Sequence, residues 1–188
     1  MADARAVARL FIELANDQAD AGQGDMMTNL RLQKLLYFAQ GWMLAQYGKP
    51  LFPDRIEAWK FGPVVPSVYR AYKPFGNNPL SDTPSRKSDF SPEEYLLLFD
   101  VYSACESLST AKLVSLTHEA GTPWSHTYNE SRDSVIPESR IRDYFREAFA
   151  ELQLRSSLAK LNQNPIIPAR GADRIPVLPK EFDYAREN

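Results

Sequence analysis

The chain has 188 residues and a formal net charge of -2, with 44% hydrophobic and 24% charged residues. That is the profile of a globular chain with one substantial core, and the slight acidity argues against a dedicated nucleic-acid binder, which carries a basic excess. A single cysteine, Cys105, excludes an intrachain disulfide and suits a reducing compartment. With no signal-peptide core and no run near the ~18 apolar residues of a membrane span, a cytoplasmic protein without membrane contact is expected.

In chain order, Val7, Leu10, Phe11 and Leu14 recur at i, i+3, i+4, i+7, which predicts an amphipathic first helix with Arg5, Arg9, Glu13 and Asp17 on the outer face. "DQADAGQGD" then reads as a polar loop. From Thr28, a capping residue, to the stop signal of Gly48 and Pro50 runs a helix apolar on most sides. Its stripe of Leu32, Leu35, Leu36, Ala39 and Met43 is widened by Leu30, Tyr37, Phe38, Trp42 and Leu44, so a buried, central helix is predicted.

The proline-punctuated segment after it allows one short strand within Arg55–Phe61, alone or paired in a small hairpin, with "GPVVP" turning the chain. Pro66 can open a short helix over Ser67–Lys73, which Pro74 stops. A Pro/Asn/Ser-rich loop follows. Ser91, Pro92 and Glu94 form a capping box at the start of the next helix. Another is capped by Ser109 and ends near Gly121. The last, "PESRIRDYFREAFAELQLRSSLAKL", carries Ile141, Tyr144, Phe145, Ala148 and Leu152 on one face.

After Leu161 the composition turns to proline without helical periodicity. The expected architecture is therefore mainly α: a single helical domain over residues 1–161 with a small β element, and an extended Pro-rich tail over 162–188.

The search for chemistry yields little. His118 and His126 are the only histidines, and with Glu119 they lack the i, i+4 spacing of a helical zinc site. Cys105 sits among acids (Asp100, Glu106) that would raise a thiol pKa. No glycine-rich phosphate loop is present, so no metal, cofactor or catalytic set is expected. Charge is patterned. Residues 88–108 hold five acids and no Lys or Arg, while 55–87 hold Arg55, Lys60, Arg70, Lys73, Arg86 and Lys87 against Glu57 and Asp82.

"LRLQKLLYFAQGWMLAQYGKPLFPDRIEAWKFGPVVPSVYRAYKPFG", together with "LVSLTHEAGTPW" and "VIPESRIRDYF", closely resembles the Panacea antitoxin domain family, also called SocA-like or GepA-like. The matching positions are Leu32, Lys34, Leu35, Tyr37, Ala58, Trp59, Gly62, Pro63, Val64, Thr117, His118, Pro123 and Trp124. Phe61 stands where many members have Tyr.

The resemblance implies a bacterial or phage antitoxin that binds a cognate protein toxin directly, usually one encoded next door. It also leaves open an adaptor that delivers the toxin to a cytosolic protease. An enzyme with a site near His118 and Trp124 is a third reading, and homo-oligomerisation stays open. Inhibition by complex formation needs anchors rather than catalysis. Trp42, Trp59 and Trp124 are expected mainly in the core. Toxin contacts are expected at Tyr69, Arg70, Tyr72 and Lys73 on the short helix, and at Ile166, Ile167, Arg170, Arg174, Phe182 and Tyr184 in the tail.

Overall fold

The computed structural model describes residues 1–20, 26–128 and 134–162. Among them are six α-helices and one two-stranded sheet: α1 (Ala4–Asp20), α2 (Asn29–Tyr47), β1 (Glu57–Trp59), β2 (Gly62–Val64), α3 (Pro66–Tyr72), α4 (Pro92–Cys105), α5 (Thr110–His118) and α6 (Glu138–Asn162). The fold is mainly α. The tail positions Ile166, Ile167, Arg170, Arg174, Phe182 and Tyr184 lie outside the described residues.

Helix α2 begins where Thr28 accepts a hydrogen bond from the Arg31 amide. It ends where Gly48, at φ 67°, takes the left-handed conformation that closes the last turn. With the exception of Leu30, every residue from Asn29 to Leu44 is buried. The reason is that α1, α3, α4, α5, α6 and β2 all pack on this one helix. A helix covered on all sides carries no polar face, and that is why its apolar residues run around the whole circumference.

The polar residues left on α2 hold the chain segments that have no ladder of their own. Arg31 donates to the carbonyls of Cys105, Glu106 and Leu108 at 2.9, 3.2 and 2.6 Å, so its guanidinium completes the C-terminus of α4. Gln40 binds the amides of Leu51 and Phe52 and the Phe52 carbonyl. Gln33 accepts from the Val65 amide at 2.9 Å and donates to Asn29, which in turn donates to the Tyr69 carbonyl, tying the N-cap and the middle of α3 to α2. The bonds to Cys105, Leu108, Leu51, Phe52 and Val65 satisfy buried backbone groups that would otherwise be costly.

Where α6 crosses α2, Gly41 lets the helices approach closely. A Cβ there would lie 2.3 Å from Phe145 Cε2. The Phe145 ring is held edge-on by Tyr37 and Phe38 at 5.6 and 6.2 Å and cannot simply swing away. Gly41→Ala gains about 1 kcal/mol of helix propensity but incurs about 1–3 kcal/mol of overpacking. The expected outcome is a net loss of up to about 2 kcal/mol in urea unfolding, not the gain an exposed helical glycine would give.

Of the two readings, a lone short strand or a small hairpin, the hairpin is the one formed, and what changes is the place of the turn. β2 is the "GPV" itself, paired antiparallel with β1 in the register Glu57↔Val64, Ala58↔Pro63, Trp59↔Gly62, and the turn is Lys60–Phe61. Pro63 is tolerated because it needs no ladder donor. The opposite amide, Ala58, points the other way and donates to Ser134 at 2.8 Å. That second edge is covered by the 134–136 segment, where Glu57 pairs with Val135 and the Ile136 amide donates to the Ile56 carbonyl. Pairing to a segment nearly 80 residues away thus covers the free edge of the two-stranded ribbon with an isolated bridge.

Other boundaries shift slightly. Ser91 and Glu94 form the expected capping box of α4, and Ser109 caps α5. Helix α5 stops at His118, before Gly121. Its continuation is a set of turns in which the Thr122 hydroxyl donates to the Thr117 carbonyl at 2.9 Å.

Candidate functional site

The signature residues come together where α2, the hairpin and the end of α5 meet. Lys34 is fully buried and donates from Nζ to the Pro63 carbonyl at 2.9 Å. That carbonyl is free to accept because Ala58↔Pro63 is a pair without ladder hydrogen bonds. Gly62, at φ 98°, passes directly over Lys34 and Thr117: a Cβ would sit 2.6 Å from Nζ and 2.7 Å from Thr117 Oγ1. Thr117 Oγ1 donates back to the Val114 carbonyl at 2.8 Å.

His118, half-buried at the last position of α5, has Nδ1 2.7 Å from the Val114 carbonyl and Nε2 3.2 Å from the Lys60 carbonyl. Its ring lies 3.8 Å, centroid to centroid, from Trp124. Trp124 donates from Nε1 to the Trp59 carbonyl at 2.8 Å and stacks on Tyr128 at 4.6 Å.

Three side chains thus grip three successive parts of the hairpin: Trp124 holds residue 59, His118 residue 60, and Lys34 residue 63. The spacing of Thr117-His118 and Pro123-Trp124 follows from this. The helix end supplies the imidazole, and the turns after it return the indole to the same strand.

Ala58, Val64 and Pro123 are buried within this junction, whereas Leu32 and Leu35 belong to the general core. Tyr37 lies away from the hairpin, against Phe38 and Phe145. Its hydroxyl is buried with no hydrogen-bond partner among the described residues. Tyr37→Phe is therefore expected to leave stability unchanged or raise it by up to about 1 kcal/mol, readable as a small upward shift in the thermal midpoint.

Burial lowers the Lys34 ammonium pKa to about 7, because no carboxylate accompanies it and the low-dielectric interior disfavours the charge. Cys105 moves the other way, pushed up to about 12. The cause is burial rather than the neighbouring acids, and the nearby Arg31 opposes it. The thiol is fully buried in the core and inert. His126 lines a different feature, an open cleft of about 450 Å³ bounded also by Arg140, Asp143, Tyr144 and Glu147. Among the described residues no group of three His, Cys, Asp or Glu comes together, and no helix is long and apolar enough to cross a membrane.

On α3 the two tyrosines separate. Tyr72 is only 2% exposed, and its hydroxyl donates to Asp82 at 2.6 Å. It is part of the core and offers no surface to a partner, because α3 turns that side onto α1 and α2. Burial, then the Asp82 carboxylate, raises its pKa well above the usual phenol range. Tyr69 is half-buried, its ring edge-on to Trp59 at 4.9 Å. Arg70 and Lys73 are exposed.

Trp42 and Trp124 are buried as expected, while Trp59 is only half-buried because β1 runs at the surface. It donates from Nε1 to Glu57 at 2.8 Å, and the same buried carboxylate is ion-paired with Arg55 at 2.7 Å. Sequence reasoning missed Arg31, Gln33 and Gln40 as backbone clamps. The available signal was polar residues in a helix otherwise apolar all round.

A central helix, a short ribbon and an indole-imidazole pair thus build one buried junction from the signature residues. Residues 32–125 match the family described as antitoxin SocA-like, Panacea domain, and the chain belongs to that family. It is similar to antitoxin SocA of Caulobacter vibrioides (strain NA1000 / CB15N), at 34% identity over 160 residues covering 77% of this chain and 82% of the relative. No solved structure matches the chain.

Proposed function

We propose that this protein is an antitoxin that neutralises a cognate protein toxin by direct binding, with the toxin encoded by the adjacent gene. Membership of the antitoxin family is the observation that carries this reading. The junction geometry supports it. The signature polar groups, including both ring nitrogens of His118, are turned onto backbone carbonyls of the same chain. They stabilise a framework, and among the described signature residues none is left as an arranged base or nucleophile, which supports recognition at the exterior. The exposed Arg70 and Lys73, the half-buried Tyr69, and the tail residues Ile166, Ile167, Arg170, Arg174, Phe182 and Tyr184 remain proposed contacts.

Co-expression with the adjacent gene tests the proposal. That gene alone should arrest growth, this chain should restore it, and the two products should co-purify at fixed stoichiometry with toxin abundance unchanged. A harmless neighbour or a failed rescue would sink the reading. Falling toxin abundance that recovers in a strain lacking the cytosolic protease would mark delivery to proteolysis instead.

A further inference from the structure

The outer face of the ribbon combines features that the framework does not need. Glu57 and Trp59 project from the same side of β1, and Val135, directly across from Glu57, shares that side. Tyr69 extends the face onto α3 through its edge contact with Trp59, and Arg70 follows it along the helix. Arg55 borders the other flank with its side chain 62% exposed. At the tip, Phe61 is 62% exposed, and Val135 is 46% exposed. Two large apolar groups, a half-buried Trp–Tyr pair and guanidinium groups within one face is the composition of binding anchors, not of ordinary solvated surface.

The charges on this face are one-sided. Its carboxylates are occupied: Glu57 is buried under Trp59 and Arg55, and Asp54 accepts from Ser67. A little further on, Asp82 accepts from Tyr72 and Thr83. Among the described residues, Lys60, Arg70 and Lys73 have no acidic partner within 4.0 Å. The acidic helix α4 is different. Glu93 and Glu94 are paired with Lys49 and the N-terminal amine, and Asp89 just before the helix with Arg9. The chain's overall charge of -2 therefore conceals a local cluster of cations that have no carboxylate partner among the described residues, one of which, Lys60, lies 5.6 Å over the ring of the exposed Phe61.

The face is also held rigid from behind. The carbonyls of Trp59, Lys60 and Pro63 are gripped by Trp124, His118 and Lys34. A partner would meet a preformed surface and lose little ordering entropy.

We infer that this ribbon–α3 face, centred on Trp59, Phe61, Tyr69 and Arg70, docks an acidic segment of a protein partner whose carboxylates meet Arg70 and Lys60 while its apolar side chains cover Phe61 and Val135. The inference rests on the antitoxin reading and assigns the toxin-binding surface. A nucleic-acid backbone is the less fitting occupant. Phosphate tracking calls for a continuous run of cations, whereas here they flank an apolar centre.

The test uses the full-length chain with the product of the adjacent gene. Arg70→Glu and Phe61→Glu are expected each to weaken binding tenfold or more and to abolish growth rescue, with thermal midpoint and far-UV circular dichroism unchanged. Arg70→Ala, a milder change, should lie between them and wild type, and wild-type binding should weaken from 50 to 300 mM salt. The double variant Leu96→Asp/Phe99→Asp, on the other exposed apolar pair, should bind as wild type does.

Ribbon variants that bind within twofold of wild type, or loss confined to the α4 variant, would overturn the surface while leaving the antitoxin reading intact. Failure of the wild-type chain to bind would remove both. Binding of a 20-bp duplex that Arg70→Glu abolishes, with toxin binding unaltered, would reassign the face to nucleic acid and overturn the proposal.

Discussion

Gly62→Ala is expected to lower the unfolding free energy by about 3 kcal/mol or more, the sum of two costs. The first is backbone strain. At φ 98° a residue with a Cβ is held in a region that costs about 1–2 kcal/mol for any residue but glycine. The second is collision. The new methyl would lie 2.6 Å from Lys34 Nζ and 2.7 Å from Thr117 Oγ1, and neither neighbour can yield without losing its own bond to Pro63 or Val114. Overpacking of this kind costs about 1–3 kcal/mol, and more when a hydrogen bond goes with it. For a chain of this size the fall in thermal midpoint should be roughly 6–12 °C. A fall under about 2 °C would show that the junction relaxes around the methyl group, and that Gly62 is not sterically required. Because the hairpin also presents Phe61 and Trp59, binding at the proposed docking face should weaken together with stability.

The second large effect is a rise in stability between pH 7 and pH 9. Lys34 has a folded-state pKa of about 7 against 10.5 in the unfolded chain. Between these values the unfolded state holds a proton that the folded state has lost, so stability climbs as pH rises. Below about 7 the folded state must bury an ammonium ion, and the penalty is present in full. The slope approaches about 1.4 kcal/mol per pH unit, which gives roughly 2–3 kcal/mol over the two units. The window closes above pH 9. There Cys105, held at about 12 in the folded state against 9.0 unfolded, acts with the opposite sign, and so do the buried tyrosines Tyr37 and Tyr72. Urea unfolding of wild type and Lys34→Met at pH 7 and 9 isolates the term. The methionine variant keeps the aliphatic volume and should show almost none of the rise. Equal slopes in both proteins would mean that Lys34 does not titrate in this range.

Lys34 also illustrates how the family signature works. A lysine in the middle of an apolar helix is expensive, and its only polar partner among the described residues is a backbone carbonyl. The helix tolerates it because Pro63 turns that carbonyl inward, away from β1. The hairpin tolerates Pro63 because Ala58 donates elsewhere, to Ser134. Each signature residue is understandable only through another that is distant in the chain. One replacement in the junction should therefore disturb several bonds, whereas the exposed positions Phe61 and Arg70 can change with little effect on the fold.

The helices and their limits were legible in the residues, since they follow from local chemistry. Thr28 and Gly48 delimit α2, Ser91 with Glu94 opens α4, Ser109 opens α5 and Pro66 opens α3. The all-round apolar character of α2 announced its central place. The joint occurrence of Ala58-Trp59, Gly62-Pro63-Val64, Thr117-His118 and Pro123-Trp124 in this order indicated the family.

Pairing, packing and exposure were not legible. "GPV" is a strand through its pairing with Glu57–Trp59, and the other edge of β1 is closed by Ser134 and Val135, more than 70 positions away, for which no local signal exists. Tyr69 and Tyr72 look equivalent on the helix, yet Tyr72 is enclosed against α1 and α2 while Tyr69 stays at the surface beside Trp59. Phe61 differs from a core phenylalanine only in standing at the tip of a two-residue turn. Local chemistry dictates where helices start and stop because caps and propensities act over a few residues. Which side chains are buried, which carbonyls are free to accept, and which cations stand beside exposed aromatics are set by contacts between remote segments, and only the folded chain decides them.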